Sequence, residues 1–295
     1  MKYLLLSVLA LLAACQSHTA APPLPVWQSP QGRESADLGV IRDLRSGEQL
    51  TPQQLLDRLA TAPRVLVGEQ HDNPDHHALE LWLARALAAR RPGGSVLMEM
   101  INPNQQARVA AAQAAATKGE APTDLIGALA WQPGWDWSLY GPLVTWLVKQ
   151  PEPLLWANLD RSEIMRIYAE QPPLKGVRST TDAVRNSLLD DIRESHCDLL
   201  PDSQLPAMLA VQQQRDRRMA ERLKAAPGPA LLIAGGFHAR RDLGVPLHLE
   251  DLGVGEGLLV LMLAEVGRAV TPGQADYVWY TPALPPTDYC ATLRR

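Results

Sequence analysis

Residues Arg64 to Leu87 read R-V-L-V-G-E-Q-H-D-N-P-D-H-H-A-L-E-L-W-L-A-R-A-L. The aliphatic run Val65–Val67 predicts a short buried strand, and Gly68 closes it. A polar turn follows. Pro74 then opens an amphipathic helix, with Asp72 or Asn73 as its cap. Strand, sharp turn and helix in that order predict a unit of an open α/β sheet. Ligands in such sheets bind beyond the carboxyl ends of the strands. Glu69, His71, Asp72, His76 and His77 all fall at or just after that end. The chain has seven histidines in all, so this density asks for a reason. Two exposed histidines at a helix start would carry no message by themselves. Glu69 and His71, however, form an i, i+2 pair. In extended backbone both side chains point the same way, so a carboxylate and an imidazole would face one cavity. That pairing suits acid–base work, metal ligation or the orientation of a ligand.

The flanking sequence extends the pattern. Gly39 to Leu44 predicts a first strand. Thr51-Pro52 predicts a helix start that runs through Leu59, with Gln54 completing a capping box. Ser95 to Met100 predicts a second buried strand of the same sheet. It carries Glu99 near its carboxyl end, where an acid is costly unless paired or facing a cavity. Residues 103–117 predict a helix. Trp131 to Tyr140 (W-Q-P-G-W-D-W-S-L-Y) predicts an aromatic loop before a helix over Pro142–Lys149. Its rings either pack a corner of the core or wall a planar ligand. Leu154–Asn158 predicts a strand and Arg161–Glu170 a helix. Residues 180–226 read as wholly helical. In their second helix, Arg215 and Asp216 either join a solvated face with Arg218 or face the cavity. Ala230–Ala234 leads straight into Gly235-Gly236-Phe237-His238 and repeats the first motif. Two such ends in one parallel sheet bring His238 near His71. Gly244–Pro246 reads as a turn, and Gly257–Leu263 and Tyr277–Tyr280 supply the last strands. The fold expected is α/β: a largely parallel central sheet flanked by helices, with a smaller helical subdomain at about 160–226.

Length and composition set bounds. The chain has 295 residues, 46% of them hydrophobic, which is enough for a sizeable core. A net charge of −4 argues against a nucleic-acid partner. Lys2, the apolar run Tyr3–Leu12 and Leu12-Ala13-Ala14-Cys15 resemble a bacterial lipoprotein signal, removed as residues 1–14, with Cys15 then lipidated. Gln16 after that cysteine suggests sorting to the outer membrane. Residues 15–37, rich in Pro and Ala, read as a tether without a core of its own, leaving 38–295 as the folded domain. Cys197 and Cys290 either form one disulfide that pins the C-terminal tail or remain two buried thiols. There is no G-x-S-x-G elbow, Walker A loop, Rossmann fingerprint, H-E-x-x-H or C-x-x-C-H. A metal cluster of Glu69, His71, Glu99 and His238 is conceivable but follows no standard spacing.

Four motifs in order are G-E-Q-H-D-N-x-x-H-H, M-E-M, R-D-R-R-M-A and G-G-F-H-A-R-R-D-L-G-V-P. Together they resemble ChaN-type haem-binding uptake lipoproteins. That family belongs to a superfamily with Tiki-type proteases and erythromycin esterase-like proteins. The likeness spans about residues 40–265. It departs at Gly236-Phe237-His238, where a G-x-G-H-like form is more usual. The resemblance implies non-covalent haem binding at the outer membrane, paired haems between two subunits of a homodimer, and delivery to or from an outer-membrane haem receptor. Histidine and tyrosine are both known axial ligands of haem iron. The candidates for contact with haem are His71, His76, His77, Tyr140, His196 and His238. His76 and His77 rank first, because a helix start at a cavity mouth can present a ring to a large planar ligand. The motif histidines can line the pocket without touching iron, and His196, next to Cys197, and Tyr140, in the aromatic loop, are outside candidates. The competing reading is a hydrolase, with or without a metal. There His71 or Glu69 activates water, Glu99 converges on the same site, and His238 stabilises developing charge.

Overall fold

A computed structural model describes residues 21–293. The signal segment 1–14, the lipidation candidate Cys15 and the first part of the tether lie outside the described residues. No helix among the described residues is long and apolar enough to cross a membrane.

Eight strands form one sheet: β1 (Ile41–Asp43), β2 (Gln49–Leu50), β3 (Arg64–Glu69), β4 (Ser95–Met98), β5 (Leu154–Trp156), β6 (Ala230–Gly235), β7 (Leu258–Glu265) and β8 (Tyr277–Thr281). Their spatial order is β2-β1-β8-β7-β3-β6-β4-β5. The six strands from β8 to β5 run parallel. Only β1 and β2 at one edge are antiparallel. The helices are α1 (Pro52–Ala60), α2 (Pro74–Arg90), α3 (Gln106–Thr117), α4 (Leu125–Leu129), α5 (Trp137–Val148), α6 (Arg161–Glu170), α7 (Asp182–Ser195), α8 (Leu205–Ala225), α9 (Gly236–Ala239), α10 (Val245–Asp251) and α11 (Tyr289–Leu293).

Local chemistry sets several boundaries. Thr51 caps α1 and exchanges hydrogen bonds with Gln54, a complete capping box. Asn73, not Asp72, caps α2 by accepting from Asp75 and His76 amides, with Pro74 in the first turn. Two boundaries overrule the sequence reading. Helix α5 starts at Trp137, before Pro142. Asp136 caps it through the Ser138 amide, and the buried Tyr140, Leu143 and Val144 outweigh the one amide donor that Pro142 removes. At Val245–Pro246 a helix begins in place of a turn, with the proline in its first turn where an N–H is not needed.

The sheet buries both faces. Val65 and Val67 of β3 pack with Leu79 and Leu83 of α2 and with Leu55 and Leu56 of α1. Leu66, pointing the other way, packs with Met219 and Leu223 of α8 and with Val245 and Leu249 of α10. Each such side chain stabilises the fold by roughly 1.5–3 kcal/mol on burial. Adjacent strands β3 and β6 therefore feed helices on opposite faces. Their carboxyl ends diverge and open a crevice, the usual ligand position in this architecture.

Residues 160–226 form the helical excursion between β5 and β6. Two small apolar clusters pack it, one around Leu188, Ile192, Leu205 and Leu209 and one in which Ile167 and Val211 meet Leu159 just before it. Cys197 and Cys290 are paired, with Cα atoms 5.6 Å apart. The expected coreless tether is corrected for its described part. The Gln28 and Ser29 amides donate to the buried Asp75 at 2.6 and 2.8 Å. The Trp82 indole donates to the Pro22 carbonyl at 2.8 Å, and Trp27 packs on the core. A Pro-rich segment carries unpaired amides and carbonyls, and here the body of the domain supplies their partners.

Candidate functional site

The crevice is built from the ends of β3, β6 and β4. In register, Glu69 lies opposite Gly235 and Met98 opposite Ile233. Glu69, the last residue of β3, is buried. Its Oε1 accepts the Tyr140 hydroxyl at 3.0 Å and also holds Nδ1 of His71. Its Oε2 is buried with no hydrogen-bond partner. The His71 side chain is 45% exposed. Burial works against a charge on its ring, but the Glu69 carboxylate outweighs it and raises the His71 pKa. Burial and the same carboxylate drive the Tyr140 hydroxyl far above its ordinary range, which keeps it a donor. Trp135 stands edge-on to His71, with ring centroids 5.0 Å apart.

A second charged group lies across Gly235. Glu99 follows β4 directly, where the strand's apolar pattern leaves an acid to find partners. Its Oε2 accepts the Gly235 amide at 2.9 Å, and its Oε1 lies 3.3 Å from Nε2 of His238. Nδ1 of His238 lies 2.6 Å from Oδ1 of Asp216, which α8 delivers from the other face. Burial penalises the imidazolium, yet the two carboxylates push the His238 pKa up to about 10. Burial likewise disfavours the Glu99 carboxylate, but His238, His71 and Arg215 hold it well below the usual carboxylate range. Gly235 sits between the two groups. A Cβ there would come within 2.7 Å of His71 Cε1 and 2.8 Å of Nε2. The Gly235 backbone can approach the ring only because it has no side chain.

The crevice holds a groove of about 260 Å3 lined by His71, Gly235, Phe237, Gln212, Ile192 and Arg268, among others. Phe237 is 51% exposed at its edge. Sequence reasoning did not select Phe237, Gln212 or Arg268. The one available signal was Phe237, the only phenylalanine of the chain, at the point where the fourth motif departs from its usual form.

The first-ranked ligand candidates need correction. His76 is fully buried. Its Nδ1 accepts the Gln70 amide at 2.9 Å and its Nε2 lies 3.0 Å from the Thr281 hydroxyl. Burial lowers its pKa to about 3, so it is a neutral structural imidazole. His77 is buried as well. Its Nδ1 meets Glu80 at 3.0 Å and its Nε2 meets the His71 carbonyl at 3.1 Å. Burial opposes its charge, but Glu80 lifts its pKa to about 9. Both rings turn into the core because Asn73 starts the helix beneath the crevice, and neither has a nitrogen to offer a ligand. Tyr140 is buried behind Glu69. His196 ends α7 with Nδ1 on the Ile192 carbonyl at 2.8 Å, beside the groove wall but not lining it.

Glu69, His71, Glu99 and His238 do meet at the strand ends, but as two internally bonded pairs. Glu69, His77 and Glu80 are the group whose ligand atoms lie within 4.8 Å of one another among the described residues, all buried. Within it, hydrogen bonds already occupy both nitrogens of His77.

This is a doubly covered α/β sheet with a histidine–carboxylate groove at its carboxyl edge, and the comparisons with known proteins give it a class. The family described as haem-binding uptake, Tiki superfamily, ChaN, matches residues 55–249. The structure of ChaN from Campylobacter jejuni, described as binding haem cofacially, superposes with a TM-score of 0.74 at 30% identity. The match covers 81% of this chain and 95% of that one. The chain belongs to the ChaN family. An erythromycin esterase mutant in an open conformation is a more distant likeness, with TM-score 0.45 and 14% identity over 82% of this chain and 83% of that one. A Bacillus cereus protein gives TM-score 0.42 and 10% identity over 72% and 68%. No curated protein sequence matches the chain.

Proposed function

We propose that this protein binds haem non-covalently in the groove at His71, as a lipid-anchored component of haem uptake at the bacterial outer membrane. One observation carries the site. His71 is the motif histidine with a half-exposed ring and a nitrogen left over. Its Nδ1 is fixed on Glu69, while Nε2 makes no hydrogen bond among the described residues and abuts Gly235 in the groove. A carboxylate behind Nδ1 orients such a ring and raises its basicity, the arrangement that supports metal-ligating histidines. The residues fit haem in two further respects. Phe237 offers an exposed apolar face, and Gly235 leaves space that any Cβ would fill. Bound haem would supply an iron that accepts an imidazole. The protein's part is to orient His71 through Glu69 and to exclude water with Phe237 and Ile192.

The groove, at about 260 Å3, falls below the roughly 300–1,000 Å3 typical of pockets that enclose a drug-sized ligand. A haem seated there leaves one face uncovered. A second copy covering that face agrees with the cofacial haem described for the Campylobacter protein. Haemin titration of the soluble form beginning after Cys15, followed by absorbance and size-exclusion chromatography, tests this. A saturable Soret band, a shift toward dimer and loss of the band's ligand signature in His71→Ala are expected. A featureless titration of folded protein refutes it. Palmitate labelling that disappears in Cys15→Ser tests the anchor, and exchange with a purified outer-membrane haem receptor tests the partner.

A hydrolase reading keeps one specific observation, the Glu69–His71 pair open to the groove. An ester and peptide panel, with and without divalent metal, tests it, and turnover unchanged by His71→Ala removes it.

A further inference from the structure

Trp135, whose ring stands 5.0 Å from that of His71, also lines a second cleft. This cleft encloses about 350 Å3 and is lined by Asn102, Gln132, Trp135, Asn158, Arg161 and Arg215, among others. Its lining includes two arginines and no acid. The other arginines of α8 each have a partner. Arg217 donates to the Lys175 carbonyl. Arg218 pairs with Glu163 at 2.7 Å. Arg222 stacks over the Trp156 ring at 4.3 Å. Arg215 has no hydrogen bond, ion pair or ring partner among the described residues, and its Nε is buried and unsatisfied. Arg161, the first residue of α6, also lacks a side-chain partner among the described residues. Glu99 feels the charge of Arg215, but hydrogen bonds to Gly235 and His238 engage both of its oxygens. A guanidinium partly withdrawn from water with an unpaired N–H is unfavourable unless an acceptor arrives. Its planar fork matches an oxyanion, and a carboxylate above all.

We propose that Arg161 and Arg215 form a carboxylate-binding subsite for the ligand seated against His71, taking the propionate groups of haem. This rests on the haem reading above. Trp135 links the two sites, since its ring meets His71 edge-on and it lines the arginine cleft. The apolar macrocycle then meets Phe237 and His71, and its charged edge meets the arginines.

The test compares haemin with haemin dimethyl ester, whose propionates carry no charge, in Soret titrations of wild type, Arg161→Ala and Arg215→Gln. Charge-assisted hydrogen bonds predict that wild type prefers haemin by about ten- to a hundred-fold. Each variant is expected to lose most of that preference while binding the ester as wild type does. Arg161 is exposed at a helix start, so its variant reports even if Arg215→Gln folds poorly. Equal binding of haemin and ester by wild type, or an intact preference in both variants, overturns the subsite. A wild type that binds neither porphyrin overturns the haem reading and the propionate assignment with it, and needs no variant to detect. Thermal stabilisation by citrate or phosphate, present in wild type and absent in both variants, together with equal binding of the two porphyrins, assigns the cleft to a free small anion and overturns the propionate assignment.

Discussion

Replacing His238 with glutamine tests the electrostatic reading of the crevice directly. His238 stands between Glu99 and Asp216, 3.3 and 2.6 Å away, with all three side chains almost wholly buried. Glutamine keeps much of the volume but removes the positive charge. It leaves two buried carboxylates, with His71 and Arg215 as the positive charges that Glu99 still feels. Removing one partner from a buried ion pair typically costs about 3–5 kcal/mol, because the remaining charge is stranded away from water. At roughly 2–4 °C per kcal/mol for a domain of this size, the melting temperature at pH 7 should fall by about 6–20 °C. The pH window of the loss should also move. In wild type the folded pKa of His238 is raised from 6.5 to about 10. Its contribution is therefore complete below pH 6.5 and is lost as pH rises through about 10. The variant lacks that alkaline loss. Its stranded carboxylates gain from protonation, so acidification toward pH 5 should narrow the gap to wild type. Circular dichroism or calorimetric melts of both proteins from pH 5 to 10 measure this. A loss below about 1 kcal/mol at pH 7, or parallel pH profiles, would refute the buried imidazolium.

Two further substitutions probe the frame around the site. Gly235→Ala places a methyl 2.7 Å from the His71 ring. Overpacking of this kind typically costs about 1–3 kcal/mol. It should weaken haem binding at least as much as it lowers stability, as a Soret titration beside a thermal melt would show; unchanged haem affinity would remove Gly235 as the clearance for His71. Cys197→Ser with Cys290→Ser opens a crosslink spanning 93 residues. Chain entropy sets its contribution at about 4–5 kcal/mol. Denaturant unfolding should show a loss of up to that size, whereas equal midpoints would mean that the tail contributes no constraint.

The network explains why some residues were legible in sequence and others were not. Glu69 and His71 are two residues apart in extended chain, so their pairing is local geometry. The Thr51–Gln54 box and the Pro74 helix start are local hydrogen bonding in the same sense. Asp216 lies on a helix far along the chain from Glu99. Only the return of β6 between β3 and β4 brings it to His238. Counting histidines at the helix start ranked His76 and His77 above His71, because spacing does not reveal which way a helix turns its first residues. Arg215 could be read only as either a solvated or a cavity-facing cation, and Phe237 only as the chain's single phenylalanine, since a single ring or cation is commonplace on a surface.

The sequence by itself determined the alternation of strand and helix, the parallel sheet, the motif residues at the strand ends and, through four ordered motifs, the family. These depend on neighbours within a few residues or on a recognisable order of short segments. The tertiary structure alone decided that His76 and His77 are core imidazoles and His71 an open one. It also decided that Glu99, His238 and Asp216 form one buried charged unit, that Cys197 pairs with Cys290, and that the described segment from residue 21 lies against the domain. Burial and ion pairing depend on distances between elements remote in the chain. Strand order and packing on both faces of the sheet set those distances.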